Sequence, residues 1–163
     1  MRNYLLSAAV CGLMAALPTL IICIIKRYKA LQALYIVLFV SYIAAVICLT
    51  IICGGKEPIR RYNFIPFVTI ISNLKRHNYF YAVRILEITM MFIPMGVFTE
   101  LKRKDLGFSV IVGFLFSLMI EVTQLITMRG VFDIDDLIFN TLGTIIGFLL
   151  VSLYRKRCAR GKL

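Results

Sequence analysis

Residues 129–143 read RGVFDIDDLIFNTLG, placing three aspartates within four positions between two long apolar runs. Either the acids cap a helix or they serve a site, and the fold turns on where that helix begins. Asp133 suits an N-cap, whose side-chain oxygen accepts a backbone N–H of the first turn. Asp136, three positions on, completes a capping box with Asp in place of the usual Glu or Gln. A carboxylate there also complements the positive end of the helix dipole. This reading leaves Asp135 without a structural task. Asn140 follows Asp136 by one turn and continues its face. Gly143 and Gly147 form a GxxxG, which admits a close helix neighbour on nearly the same face. The stretch therefore predicts a helix that starts on acids and carries a polar stripe into an apolar span.

Composition agrees that the surroundings are a membrane. Of 163 residues, 61% are hydrophobic and 17% charged, with mean hydropathy +0.90; soluble domains carry about 25% charge. Lys and Arg number 19 against 8 acids, a net +11, but the basic residues flank apolar runs and form no stripe on a soluble face. That distribution suits anionic headgroups and orientation rules, and it argues against nucleic acid as a partner. Cys11, Cys23, Cys48, Cys53 and Cys158 show no C-x-x-C spacing and read mostly as small apolar packing residues. His77 is the one histidine; in its polar loop it reads as solvated.

A span needs about 20 mostly apolar residues. Five segments qualify: residues 4–25, 31–53, 83–101, 106–128 and the shorter 137–154. The first is too long for a signal-peptide core and is followed at once by KRYK, so an uncleaved anchor is expected. GGKEP at 54–58 breaks the second helix. The connection 59–82 holds NFIPF and then VTIISNL, apolar yet too short to cross, so it should lie in the interface or re-enter. The expected class is an all-α integral membrane protein of about five spans with one such segment after the second. Residues 1–58 form two N-terminal helices, 59–154 the main domain and 155–163 a basic tail. Lys26, Arg27, Lys29, Lys102, Arg103, Lys104 and the tail are the densest basic groups. They are expected in the cytoplasm of a multi-pass plasma-membrane protein, with the N-terminus outside.

Ionisable groups inside spans face protein or water. Glu121 lies well inside the fourth span and Gln124 shares its face. They serve either as glue between helices or as the floor of an outward cavity with Asp136 and Asn140, with Arg129 on the rim balancing charge. Glu87 is expected to complement a helix N-terminus and to pair with Arg84. Pro94 and Gly96 should bend the third span and permit close packing.

NFIPF (63–67), FIPMG (92–96) and SLMIEVTQLITMRGVFDIDDLIFNTLGTIIG (117–147) together resemble the VanZ-like family of small bacterial membrane proteins. The resemblance covers roughly residues 60–154, and the last block is the most specific. The family's marked positions fall on Asn63, Pro66, Phe67, Phe92, Pro94, Gly96, Glu121, Gln124, Arg129, Asp133, Asp136, Asn140 and Gly143. One departs: where members often carry an asparagine before F-x-P-x-G, this chain has Ile88, and Glu87 or Thr89 would have to substitute. The resemblance implies a cell-envelope role linked to teicoplanin resistance, an antibiotic-resistance trait, and supplies no established reaction.

Two classes of function follow. In the first, a non-enzymatic membrane protein alters how a glycopeptide or a lipid-linked cell-wall precursor engages the outer leaflet. Its acidic pocket, covered by NFIPF, binds a cationic or hydrogen-bonding headgroup through Asn63, Glu121, Gln124, Arg129, Asp133, Asp136 and Asn140. In the second, an enzyme acts on a lipid-linked envelope substrate, with Glu121 as general acid or base and Asp133, Asp135 and Asp136 holding charge or a divalent ion. The sequence offers no recognisable nucleophile, metal signature or cofactor loop, so no cofactor is expected, and the partners are membrane lipids.

Overall fold

The computed structural model describes residues 2–53, 59 and 61–160, so the break expected at 54–58 lies outside the described residues. The elements run α1 (Arg2–Ile25), α2 (Ala30–Ile47) continuing through a π-helical turn (Cys48–Ile52), β1 (Tyr62–Asn63), α3 (Val68–Lys75), α4 (Tyr79–Arg103), α5 (Leu106–Thr127), β2 (Phe132–Asp133) and α6 (Ile134–Arg160). Five of the helices are long and apolar enough to cross a membrane, which is the expected class. The two strands are a single parallel bridge, Tyr62 opposite Phe132 and Asn63 opposite Asp133.

Helix ends follow local chemistry. Asp105 caps α5 by accepting the N–H groups of Gly107 and Phe108 at 2.9 and 3.4 Å. Arg27, His77, Lys104 and Met128 close α1, α3, α4 and α5 in the left-handed region, with φ between 52° and 55°, although none is a glycine. α4 and α6 are longer than the runs at 83–101 and 137–154 implied. α4 gains an aromatic first turn, Tyr79–Ala82, and both helices gain basic residues at their C-termini, where they complement the dipole. The basic tail is thus helical through Arg160.

The centre of the bundle is α4 against α6. A Cβ on Gly143 would overlap the Thr89 carbonyl, one on Gly147 the Ile93 carbonyl, and one on Gly96 the Thr144 carbonyl. The GxxxG face of α6 therefore meets backbone, as small residues permit in membranes. α2 is tied to α4 by Tyr42 and Tyr35, whose hydroxyls donate to the Met91 and Phe98 carbonyls, both at 3.0 Å. The Met91 carbonyl is next to that of Met90, which Pro94 leaves without a helical N–H partner. Phe92, Val46 and Ile120 form the buried apolar centre. α1 lies against α2, where Cys11 and Cys48 approach to 3.0 Å and Cys48 and Cys53 to 3.9 Å between sulfurs. Helix packing gathers these thiols without any sequence motif.

At one end lie the α1–α2 turn, the α4–α5 turn and the end of α6. There Arg155 reaches the buried Glu100 at 2.9 Å, beside a Ser109–Thr99 hydroxyl contact of 2.5 Å. The other end holds the π-helical turn, the 61–78 connection and the α5–α6 turn.

Candidate functional site

The site begins with the cap of α6. Asp133 accepts the Asp135 N–H on Oδ1 at 3.0 Å, as its N-cap position predicts. The capping box does not close. Glu121 on α5 accepts the Asp133 N–H on Oε2 at 3.0 Å, and Asp136 instead takes Arg84 at 2.9 Å. A glutamate from the neighbouring helix does what the third-position acid usually does. One turn further, Asn140 Nδ2 donates to Ser117 Oγ at 2.8 Å, and its Oδ1 is buried with no partner.

The π-helical turn supplies the facing wall. Gln124 Nε2 donates to the Thr50 carbonyl at 2.9 Å. Arg129 Nη1 donates to the Ile52 carbonyl at 2.8 Å, with that of Ile51 at 3.5 Å. Carbonyls at a helix end have no partner within the helix, so a guanidinium from the α5–α6 turn is a natural cap. Arg129 is thus held by backbone oxygens rather than by the acids.

These groups enclose one cavity of about 300 Å³ whose lining includes Thr50, Arg84, Ile88, Met91, Glu121, Gln124, Arg129, Asp136 and Asn140. Five of the seven expected site residues meet there. Asn63 and Asp133 do not line it, and neither does any residue of NFIPF, so that segment is no cover for the cavity. It is fastened behind the acids instead. Asn63 Nδ2 donates to Thr69 Oγ1 at 2.8 Å and to Asp133 Oδ1 at 3.3 Å, and Thr69 Oγ1 donates to Asp133 Oδ2 at 3.3 Å.

Asp135, which had no task in the capping reading, is the latch of this segment. Its Oδ1 accepts the Phe67 N–H at 2.7 Å, and Phe67 sits in the left-handed region at φ 64°. A bulky residue there is strained and persists only when its surroundings hold it. Asp135→Ala is expected to cost about 2 kcal/mol, the range for a hydrogen bond to a charged group. Amide exchange from Phe67 through Lys75 should quicken while that of α5 stays slow. Unchanged exchange at Phe67 would remove the latch from the account.

Three further expectations change. Arg84 pairs with Asp136, not with Glu87, which is exposed. Ile88 itself lines the cavity, while Thr89 donates to its own helix at Ile85, so neither Glu87 nor Thr89 replaces an asparagine at that wall. The cavity is also not simply acidic, because Arg84 and Arg129 face it together with Glu121 and Asp136. Arg84, Ile88, Met91 and the buried Met95 recur at helical spacing, a signal that places Arg84 on the inner face of α4. The three aspartates diverge to Asn63 and Thr69, to Phe67, and to Arg84. Among the described residues no group of three His, Cys, Asp or Glu is arranged to hold a metal ion.

The sequence profile of the VanZ/LLP1 family matches residues 33–155, a stretch that runs from within α2 to Arg155 and contains every wall of the cavity. Protein VanZ of Enterococcus faecium is 28% identical over 137 residues, covering 83% of this chain and 80% of that protein. No solved structure matches. The match takes in two of the five candidate spans whole and most of two more, together with the polar site between them, and the chain belongs to the VanZ/LLP1 family.

Proposed function

We propose that the protein lowers susceptibility to glycopeptides of the teicoplanin type by engaging headgroups of envelope lipids or lipid-linked cell-wall precursors at the outer leaflet. The observation that carries this reading is the convergence of Glu121, Gln124, Asp136 and Asn140 on one cavity. Each of the four also bonds a neighbouring element, but glue alone does not require that all four border one space. The basic end of the bundle, with Lys26, Arg27, Lys102, Arg103, Lys104 and Arg155, is assigned to the cytoplasm by the positive-inside rule. The N-terminus is then outside and the cavity lies toward the outer surface.

Expression in a susceptible host is expected to raise teicoplanin tolerance, and Glu121→Gln to abolish the gain at equal membrane abundance. Glutamine keeps an oxygen for the Asp133 N–H, so the substitution changes charge at the cavity more than it changes the fold. Tolerance that fails to rise, or that survives Glu121→Gln undiminished, would sink this reading.

A further inference from the structure

We infer that the cavity takes a zwitterionic lipid headgroup, with an amine bearing N–H donors directed inward and a phosphate at the mouth. The inference rests on the proposed engagement of envelope lipids and names the chemical class that the site selects.

The inner part of the cavity is a set of acceptors. Asn140 is 3% exposed and its Oδ1 has no partner. Glu121, 2% exposed, spends Oε2 on the Asp133 N–H, and Asp136 spends Oδ2 on Arg84. Both residues line the same space as Asn140, and each carboxyl has a second oxygen besides the one so used. Buried acceptors without donors are costly, and an ammonium offers three N–H groups at one point.

The open side is a pair of donors. Arg84 has a side chain 51% exposed and uses Nη2 on Asp136. Arg129, in the turn beyond α5, uses Nη1 on backbone carbonyls. Each guanidinium has further N–H groups, that of Arg84 lying 5.9 Å from the Tyr81 ring centre, and its planar fork suits phosphate oxygens. Ile88 and Met91 form apolar wall alongside these groups, compatible with a short hydrocarbon link between amine and phosphate.

Charge and size point the same way. Arg84 and Arg129 face the space together with Glu121, Asp136 and Asn140, so a zwitterion meets donors for its phosphate and acceptors for its amine, whereas a lone cation or anion uses only one of the two sets. About 300 Å³ is at the lower end of small-ligand sites; it holds a headgroup and excludes a whole glycopeptide.

The test uses the purified full chain in detergent, titrated with dihexanoyl phosphatidylethanolamine, phosphatidylcholine, phosphatidylglycerol and phosphatidic acid, with binding read by native mass spectrometry. Phosphatidylethanolamine should bind about tenfold tighter than phosphatidylcholine, whose nitrogen has no N–H, and tighter than the two lipids without an amine. It should also bind tighter than soluble O-phosphoethanolamine, which carries the same group without a membrane anchor. Equal binding of the four lipids, or preference for an amine-free one, overturns the assignment; stronger binding of the soluble compound overturns a lipid source. Glu121→Gln and Asn140→Leu should each erase the discrimination between ethanolamine and choline headgroups. A folded Glu121→Gln protein that retains it also overturns the proposal. Teicoplanin tolerance without lipid preference would refute the headgroup assignment alone, whereas lipid preference without tolerance would refute the proposed function alone.

Discussion

Gly96→Ala is expected to be the most damaging single-methyl change in the chain. The added Cβ would meet the Thr144 carbonyl and the Phe148 N–H, which are backbone of α6 and cannot rotate aside as a side chain can. α4 and α6 would have to separate along their closest approach, loosening the Phe92 centre and the Glu121–Asp136 end together. Overpacking of this kind costs about 3 kcal/mol or more when the obstacle is rigid. Gly143→Ala and Gly147→Ala meet the Thr89 and Ile93 carbonyls and should behave alike. Gly107→Ala is the control, because its Cβ would meet only Asp105 Oδ1 at 3.4 Å, and alanine is the better helix former. Thermal unfolding followed by circular dichroism in detergent should show a large loss for Gly96→Ala and none for Gly107→Ala. Equal midpoints would mean that the glycines are not what sets the distance between the helices.

That interface was legible because its signal is local. Gly143 and Gly147 share a helix face by spacing alone, and the spans announce themselves by length and apolarity. The acids around Asp133 were legible as a cluster on one face for the same reason. Their partners were not. Spacing tells which way Asp136 points, but the choice between closing its own cap and taking Arg84 is made by a helix that begins more than fifty residues earlier. Glu121 won the Asp133 N–H because α5 and α6 are joined by a short turn and lie side by side, whereas a capping-box reading weighs only neighbours in sequence. Asp135 and Phe67 are a still longer connection. The cavity residues Glu121, Gln124, Asp136 and Asn140 were found through their polarity within apolar spans. Thr50 was missed because nothing in an apolar helix end reports that it will face a site.

Arg155 presents the same lesson at the other end, and its removal should be nearly as damaging as a methyl at Gly96. In sequence it is one of several basic residues in a tail, yet it reaches Glu100 at 2.9 Å, and the Glu100 side chain is only 3% exposed. Arg155→Leu would leave that carboxylate inside the bundle without its guanidinium. Removing one partner of a buried pair costs about 3–5 kcal/mol, and here the lower end applies because the arginine side chain is 38% exposed and partly solvated. The double variant Glu100→Leu with Arg155→Leu removes the stranded charge as well, and apolar replacement of a whole buried pair is often close to neutral. The double variant should therefore be more stable than Arg155→Leu alone, a sign that simple loss of contacts cannot produce. Arg157→Leu and Arg160→Leu, both exposed on the same helix, should change stability by no more than about 0.5 kcal/mol. Unfolding midpoints of the four variants would decide the matter: if the double is as unstable as the single, Arg155 holds the helix end by packing, and Glu100 does not depend on its charge.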